Sequence, residues 1–182
     1  MKRLAALAGA ALLAACGASG PQQMSDWERE HPELLATAEA AKAPTPPAAP
    51  RRENLVEFYL APTTTFRYFI DSTSLSVFYR QKEVRYVLVA RSPSGAENVS
   101  FEAIRCSGQH RVIATGNADG TWNERGSEWR DIPRQSDLST PSLLSRWFFC
   151  PHNDPIQSAA EGVDALRRGG HPMVYVKENY RR

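Results

Sequence analysis

The chain has 182 residues, 42% hydrophobic and 23% charged, which suits a soluble globular body with room for one ordinary domain and some extra chain. Its formal charge of +2 includes Lys2 and Arg3, which lie in a segment expected to be removed; without them basic and acidic residues balance. The pI of 8.5 is therefore no argument for nucleic acid, and no run of Arg is longer than two.

Met1-Lys2-Arg3 is a short basic start, followed by an apolar Ala/Leu-rich run from Leu4 to Ala15. That run is too short for a hydrocarbon core, which needs ~20 residues, and it has the form of an export signal over residues 1–15. It ends in Leu13-Ala14-Ala15-Cys16, which resembles the lipobox of bacterial lipoproteins. The resemblance implies cleavage before Cys16 and acylation of its thiol, with several acyl chains giving stable attachment. Gly17 stands where Asp would retain the protein at the inner membrane, so an outer-membrane location facing the periplasm is expected.

Residues 16–54 read as an anchor and tether. Ser25-Asp26-Trp27-Glu28 has the pattern of a helix start, and Glu33 to Lys42 is rich in Ala, Leu and Glu, with Pro32 as a break. Pro44, Pro46, Pro47 and Pro50 then favour an extended spacer at ~3.1 Å per residue. A proline-rich ligand for a partner is the rival reading.

From Leu55 the pattern changes to period two, and residues 55–182 form the expected domain. Phe66, Tyr68 and Ile70 alternate with Arg67, Phe69 and Asp71. Leu75 to Tyr79 follows. Val84, Tyr86, Leu88 and Ala90 alternate with Arg85, Val87 and Val89. Val99, Phe101 and Ala103 alternate with Ser100 and Glu102, and Arg111 to Thr115 completes the set. β-Branched and aromatic residues suit strands, and Ser92-Pro93-Ser94-Gly95, Ser107-Gly108 and Asn117-Ala118-Asp119-Gly120 supply turns. Short strands without intervening helices predict an α+β fold, mainly an antiparallel β meander (sandwich or open barrel) with C-terminal helices. The helices are expected from Pro141 to Phe149 and from Gln157 to Arg168, the second closed by Gly169-Gly170. Met173 to Val176 reads as a last strand or an arm.

With Cys16 acylated, Cys106 and Cys150 remain, and an exported context favours a disulfide between them. The competing reading is a Cys₂His₂ zinc set with His110 and His152, although Cys-x-His is a poor structural spacing because alternate strand positions face opposite ways.

The blocks Arg67 to Asp71, Ser74 to Val77, Val84 to Ser92 and Gly95 to Cys106 follow in order, continued by Asp119 to Trp122, Trp129 and Phe148-Phe149-Cys150-Pro151. Together they resemble the CNP-like family, named for a cryptic neisserial protein, of small proteobacterial envelope proteins. Phe78 to Glu83 departs from the expected Gly-containing hairpin turn. The resemblance implies a domain and transfers no catalytic residue and no cofactor.

No Gly-x-Ser-x-Gly elbow, Ser-x-x-Lys motif, phosphate loop or His-Glu-x-x-His occurs. Trp122, Trp129, Trp147, Phe148 and Phe149 either line a binding groove or pack in the core. Arg105 and Asn98 either bind an anionic group or satisfy backbone carbonyls. The residues thus point to an anchored β domain that binds an envelope partner or serves a structural role. The alternatives are an envelope hydrolase using His110 or His152 with a carboxylate, and a carrier of a small apolar ligand.

Overall fold

A computed structural model describes residues 44–133 and 139–174. The export signal, Cys16, both expected helical stretches before Lys42 and residues 175–176 lie outside the described residues.

Eight strands form one antiparallel sheet that does not close: β1 Leu55–Phe58, β2 Arg67–Asp71, β3 Ser76–Phe78, β4 Glu83–Arg91, β5 Glu97–Arg105, β6 Gln109–Gly116, β7 Trp122–Asn123 and β8 Arg130–Asp131. The order across the sheet is β1-β2-β4-β5-β6-β7. The long strands β4, β5 and β6 form the centre. Two short strands share each outer flank: β2 and β3 both pair with β4, and β7 and β8 both pair with β6. Splitting a flank into short pieces leaves little continuous edge for pairing with another chain.

The period-two runs become strands because alternate side chains find apolar cover. On one face, here the inner face, Phe58, Ile70, Val84, Tyr86, Leu88 and Ile104 meet Leu144, Phe148, Phe149, Ile156 and Leu166 from the C-terminal segment. Each large apolar side chain buried in this way contributes about 1.5–3 kcal/mol. The other, outer face buries a smaller cluster of Phe69, Val87, Val89, Phe101 and Ala114.

The C-terminal segment is built from helix α1 (Thr140–Leu144), a π turn (Ser145–Phe149), a 3-10 turn (Pro151–Asn153) and helix α2 (Ala159–Arg168). Ser158 caps α2 by accepting from the Glu161 amide, while Glu161 accepts the Gln157 amide at 2.5 Å. Gly169 closes the helix at φ 76°, with the Gly170 amide returning to the Ala165 carbonyl. The expected second helix thus starts two residues after Gln157, directly behind its Ser158 cap. The expected first helix changes to a π turn midway. Residues 172–174 are helical, which corrects the reading of a last strand beginning at Met173.

Where a glycine hairpin was expected, Tyr79–Gln81 forms a 3-10 turn and Lys82 takes the left-handed position at φ 51°. That conformation is one a glycine adopts without penalty.

Two ends of the sheet can now be distinguished. The hairpin end carries the 59–66 loop, the 92–96 turn and the 117–121 turn. The disulfide end carries the Lys82 turn, the 107–108 turn and Cys106, whose amide bonds the Lys82 carbonyl at 2.8 Å. The Pro-rich segment is fixed to the sheet rather than free of it. Its Pro47 carbonyl accepts the Trp122 indole N–H at 2.7 Å, and the Ser72 amide bonds the Asn54 carbonyl at 3.0 Å. Trp122 and Leu55, near the two pinned points, pack on the same outer cluster. Residues 47–55 therefore form a strap across the outer face. Within it, Arg52–Asn54 form a 3-10 turn that delivers the chain to β1.

Candidate functional site

The two cysteines meet. Cys106 and Cys150 form a disulfide with Cα atoms 5.3 Å apart, which ties the end of β5 to the end of the π turn. Both sulfurs that the alternative zinc set required are in this bond, and no group of three or more metal-ligating side chains occurs among the described residues.

The three histidines in the domain sit in different surroundings. His171 is buried, and its Nε2 lies 2.8 Å from Glu161 Oε1 while its Nδ1 accepts the Met173 amide. It is a strut between α2 and the following turn. His152 sits in the 3-10 turn at φ 57° and lines a cleft of about 550 Å³ beside the disulfide, with Ser107, Ile132, Ser142 and Arg146. No carboxylate lines that cleft among the described residues.

His110 does have a carboxylate. Register places Glu102 opposite both Tyr86 and Val112, and Ile104 opposite His110, so all share the inner face. Glu102 accepts from Ser100 Oγ at 2.6 Å and from Tyr86 Oη at 3.1 Å, and faces His110 Nε2 at 2.9 Å. Tyr86 is fully buried, and burial first, then the Glu102 charge, holds its phenol well above the ordinary value. This arrangement differs from a hydrolytic triad. Ser100 bonds the carboxylate and not the imidazole, so it is not placed to give its proton to His110. Nothing in the sequence motifs pointed to this network, although a Glu within an apolar strand was a signal.

The expected aromatic set divides. Phe148 and Phe149 are core residues at 3% and 0% exposure, and Trp147 packs against that core. Trp122 lies toward the hairpin end, against Phe101, and holds the strap. Trp129 lies at the disulfide end, so Trp122 and Trp129 do not share a groove. Asn98 is exposed on β5, seven residues from Arg105 and at the opposite end.

Arg105 and Trp129, in contrast, are brought together. The Arg105 guanidinium carbon sits 3.9 Å from the Trp129 ring centre, and that of Arg111 sits 4.6 Å from it. Strand pairing explains the convergence: Arg85, Ala103 and Arg111 form one row across β4, β5 and β6 on the outer face. Ala103 is small and fully buried, leaving space for the long side chains on either side. Arg85 stacks on Phe78 at 4.0 Å and pairs with Glu83 at 2.6 Å, both groups nearly buried. Glu83 also reaches Arg105 at 3.4 Å. Arg111 has a buried Nε without a hydrogen-bond partner. Burial, reinforced by Arg85 and Arg105, lowers its pKa, opposed by Glu83 and Glu128. Sequence reading found Arg105 and Trp129 but missed Glu83, Arg85 and Arg111, because only the register places them side by side.

Compared with known proteins, the chain matches the CNP1-like family over residues 36–167. The chain belongs to that family. The match bears out the resemblance seen in the strand blocks. It begins ahead of the strap and ends within α2, so the CNP1-like unit takes in the Pro-rich segment as well as the sheet. No curated protein and no solved structure matches the chain.

The remaining alternative, a carrier of an apolar ligand, needs a chamber in the β fold. The sheet of this CNP1-like domain is open, and its inner face is filled by Leu144, Phe149 and Ile156, each 0% exposed.

Proposed function

We propose that this CNP1-like protein is a lipoprotein of the outer membrane, attached through acyl chains on Cys16, that presents its β domain to the periplasm as a binding or structural component. The leader motif and Gly17 motivate the anchor. The observation that carries the presentation is the strap. Pro47 bonds Trp122, and Ala49 lies against the Gly120 turn, where a Cβ on Gly120 would meet Ala49 Cβ at 3.6 Å. The anchored segment thus joins the domain at the hairpin end. The disulfide end, with Arg105 and Trp129, is the end directed away from the lipid.

Two measurements test this reading. Intact mass of membrane-extracted protein is expected to show a chain starting at Cys16 and carrying acyl groups, and Cys16→Ala is expected to move the protein to the soluble periplasmic fraction. A chain that keeps residues 1–15, or a free Cys16 thiol, ends the anchor reading. In intact cells, a photo-cross-linker at Gln109 on the disulfide end is expected to capture one envelope protein, and only with the lipidated chain. A cross-linker at Ser94 on the hairpin end is the comparison. Equal capture from both positions, or from neither, refutes the proposed presentation.

A further inference from the structure

Deepening that reading, we propose that the disulfide end of the outer face is an anion site, in which Arg105 and Arg111 around Trp129, beside the Arg85–Glu83 pair, take a carboxylate from an acidic segment of a protein partner. The charges at the two ends of this face differ. At the hairpin end, Arg67 and Arg91 both lie over the Phe69 ring, and each has its own carboxylate: Glu57 for Arg67, Glu97 for Arg91 at 2.7 Å. At the disulfide end, Arg85 and Arg105 share the buried carboxylate of Glu83, and Arg111 packs beside Arg105 on Trp129.

That surplus has a location. Glu83 uses one oxygen on Arg85 and the other on Arg105, which leaves Arg111 with a buried Nε–H and no acceptor. A buried cationic donor without an acceptor is unfavourable, and a carboxylate on the exposed Arg105 fork beside it would offset the repulsion among like charges. Access exists, because the Arg105 side chain is 37% exposed. The guanidinium faces are held against the Trp129 ring, so their N–H edges are oriented before a ligand arrives. The preference for carboxylate follows from Glu83, which shows these same side chains accepting that group. Glu128, whose charge acts on Arg111, is the competing carboxylate on the rim.

The test uses the full chain, extracted in detergent as the cell produces it, and measures fluorescence anisotropy of a labelled glutamate-rich peptide, with a lysine-rich peptide and inorganic phosphate as further probes. Saturable binding of the glutamate-rich peptide is expected, weakening as salt rises. Arg105→Gln is expected to reduce affinity about tenfold by removing the accessible fork of a charge-assisted pair. It leaves the Arg85–Glu83 pair in place, and circular dichroism confirms the fold. Glu128→Gln is expected to tighten binding about threefold by removing a nearby like charge from the ligand's path. Arg67→Gln at the hairpin end is expected to leave affinity unchanged. Absence of saturable peptide binding, an equal loss with Arg67→Gln, or binding of phosphate in place of the peptide overturns the site. The assay requires only the folded chain, so a failure of the anchor reading by mass leaves this result standing, and the reverse also holds.

Discussion

The two faces of one sheet are covered by different means. The inner face is closed by residues that follow it in the chain, from Leu143 to Leu166, locked down by the Cys106–Cys150 bond. The outer face has a smaller apolar cluster, a strap that precedes the sheet, and guanidiniums laid on Phe69, Phe78 and Trp129. Apolar burial carries no directional requirement, so the inner face can hold the domain together without specifying a ligand. Guanidinium–aromatic contacts and ion pairs contribute less and are directional, and they leave charge where a partner can meet it. The difference suggests a division of labour, with stability on the inner face and recognition on the outer.

The sharpest test of that division is to open the inner face. Replacing Cys106 and Cys150 with Ala removes a cross-link across 44 positions, expected to lower stability by about 4 kcal/mol in the chain-entropy account. Urea unfolding of the double variant measures it, and a loss below about 1 kcal/mol would show that helices and sheet hold without the staple. The corresponding test of the outer face is Glu83→Gln. It leaves Arg85, with its side chain 7% exposed, without its carboxylate, and a destabilisation of about 3 kcal/mol is expected for a buried charge left unpaired. If the loss is small, the outer cluster is held by Trp129 and Phe78 alone.

These two faces were not equally legible in the sequence. Alternation predicted β2, β4, β5 and β6 because within each of those runs apolar or aromatic side chains recur at every second position, and Gly95, Gly108 and Gly120 mark their turns. The disulfide was legible from the cysteine number and the export context that the leader motif implies. What sequence did not show depends on register. Glu83, Arg85 and Arg111 lie up to 28 positions apart, and no local pattern tells that β4 pairs β5 and β5 pairs β6 so that they converge. The extra residue at Ile113, where Phe101 meets Ala114 but Glu102 meets Val112, moves every later pairing on β6 by one. Trp122 and Trp129 looked like one aromatic set because they are close in sequence, yet the chain between them runs the length of the β6 edge.

Tyr86 sharpens the comparison from within the inner face, where it belongs to the polar network around Glu102. Tyr86→Phe removes one of the three partners of the Glu102 carboxyl and is expected to reduce stability by about 2 kcal/mol, the range for a hydrogen bond to a charged group. The pH dependence has a definite sign. Because burial raises the phenol's pKa in the folded protein, its contribution is complete below the ordinary value of about 10 and is lost as pH rises through the folded value. Wild type is therefore expected to lose stability more steeply than Tyr86→Phe above about pH 10. Parallel curves in denaturant titrations at rising pH would place the alkaline transition elsewhere.

The smallest effect falls on the strap, and it asks whether the outer face needs its cover. Trp122→Phe keeps a ring against Phe101 but removes the indole N–H that bonds Pro47. The expected loss is about 1 kcal/mol, one ordinary hydrogen bond. Because that bond lies at one end of the strap, the loss should appear as local opening rather than global unfolding. Arg51 and Arg52 are exposed within the strap, so tryptic cleavage there reports on opening. A rate about five times that of wild type is expected for 1 kcal/mol when opening is fast. If cleavage is unchanged while the global midpoint falls, the strap opens only with the whole sheet. The outer face is then as cooperative as the inner one, and the division between the faces concerns charge alone.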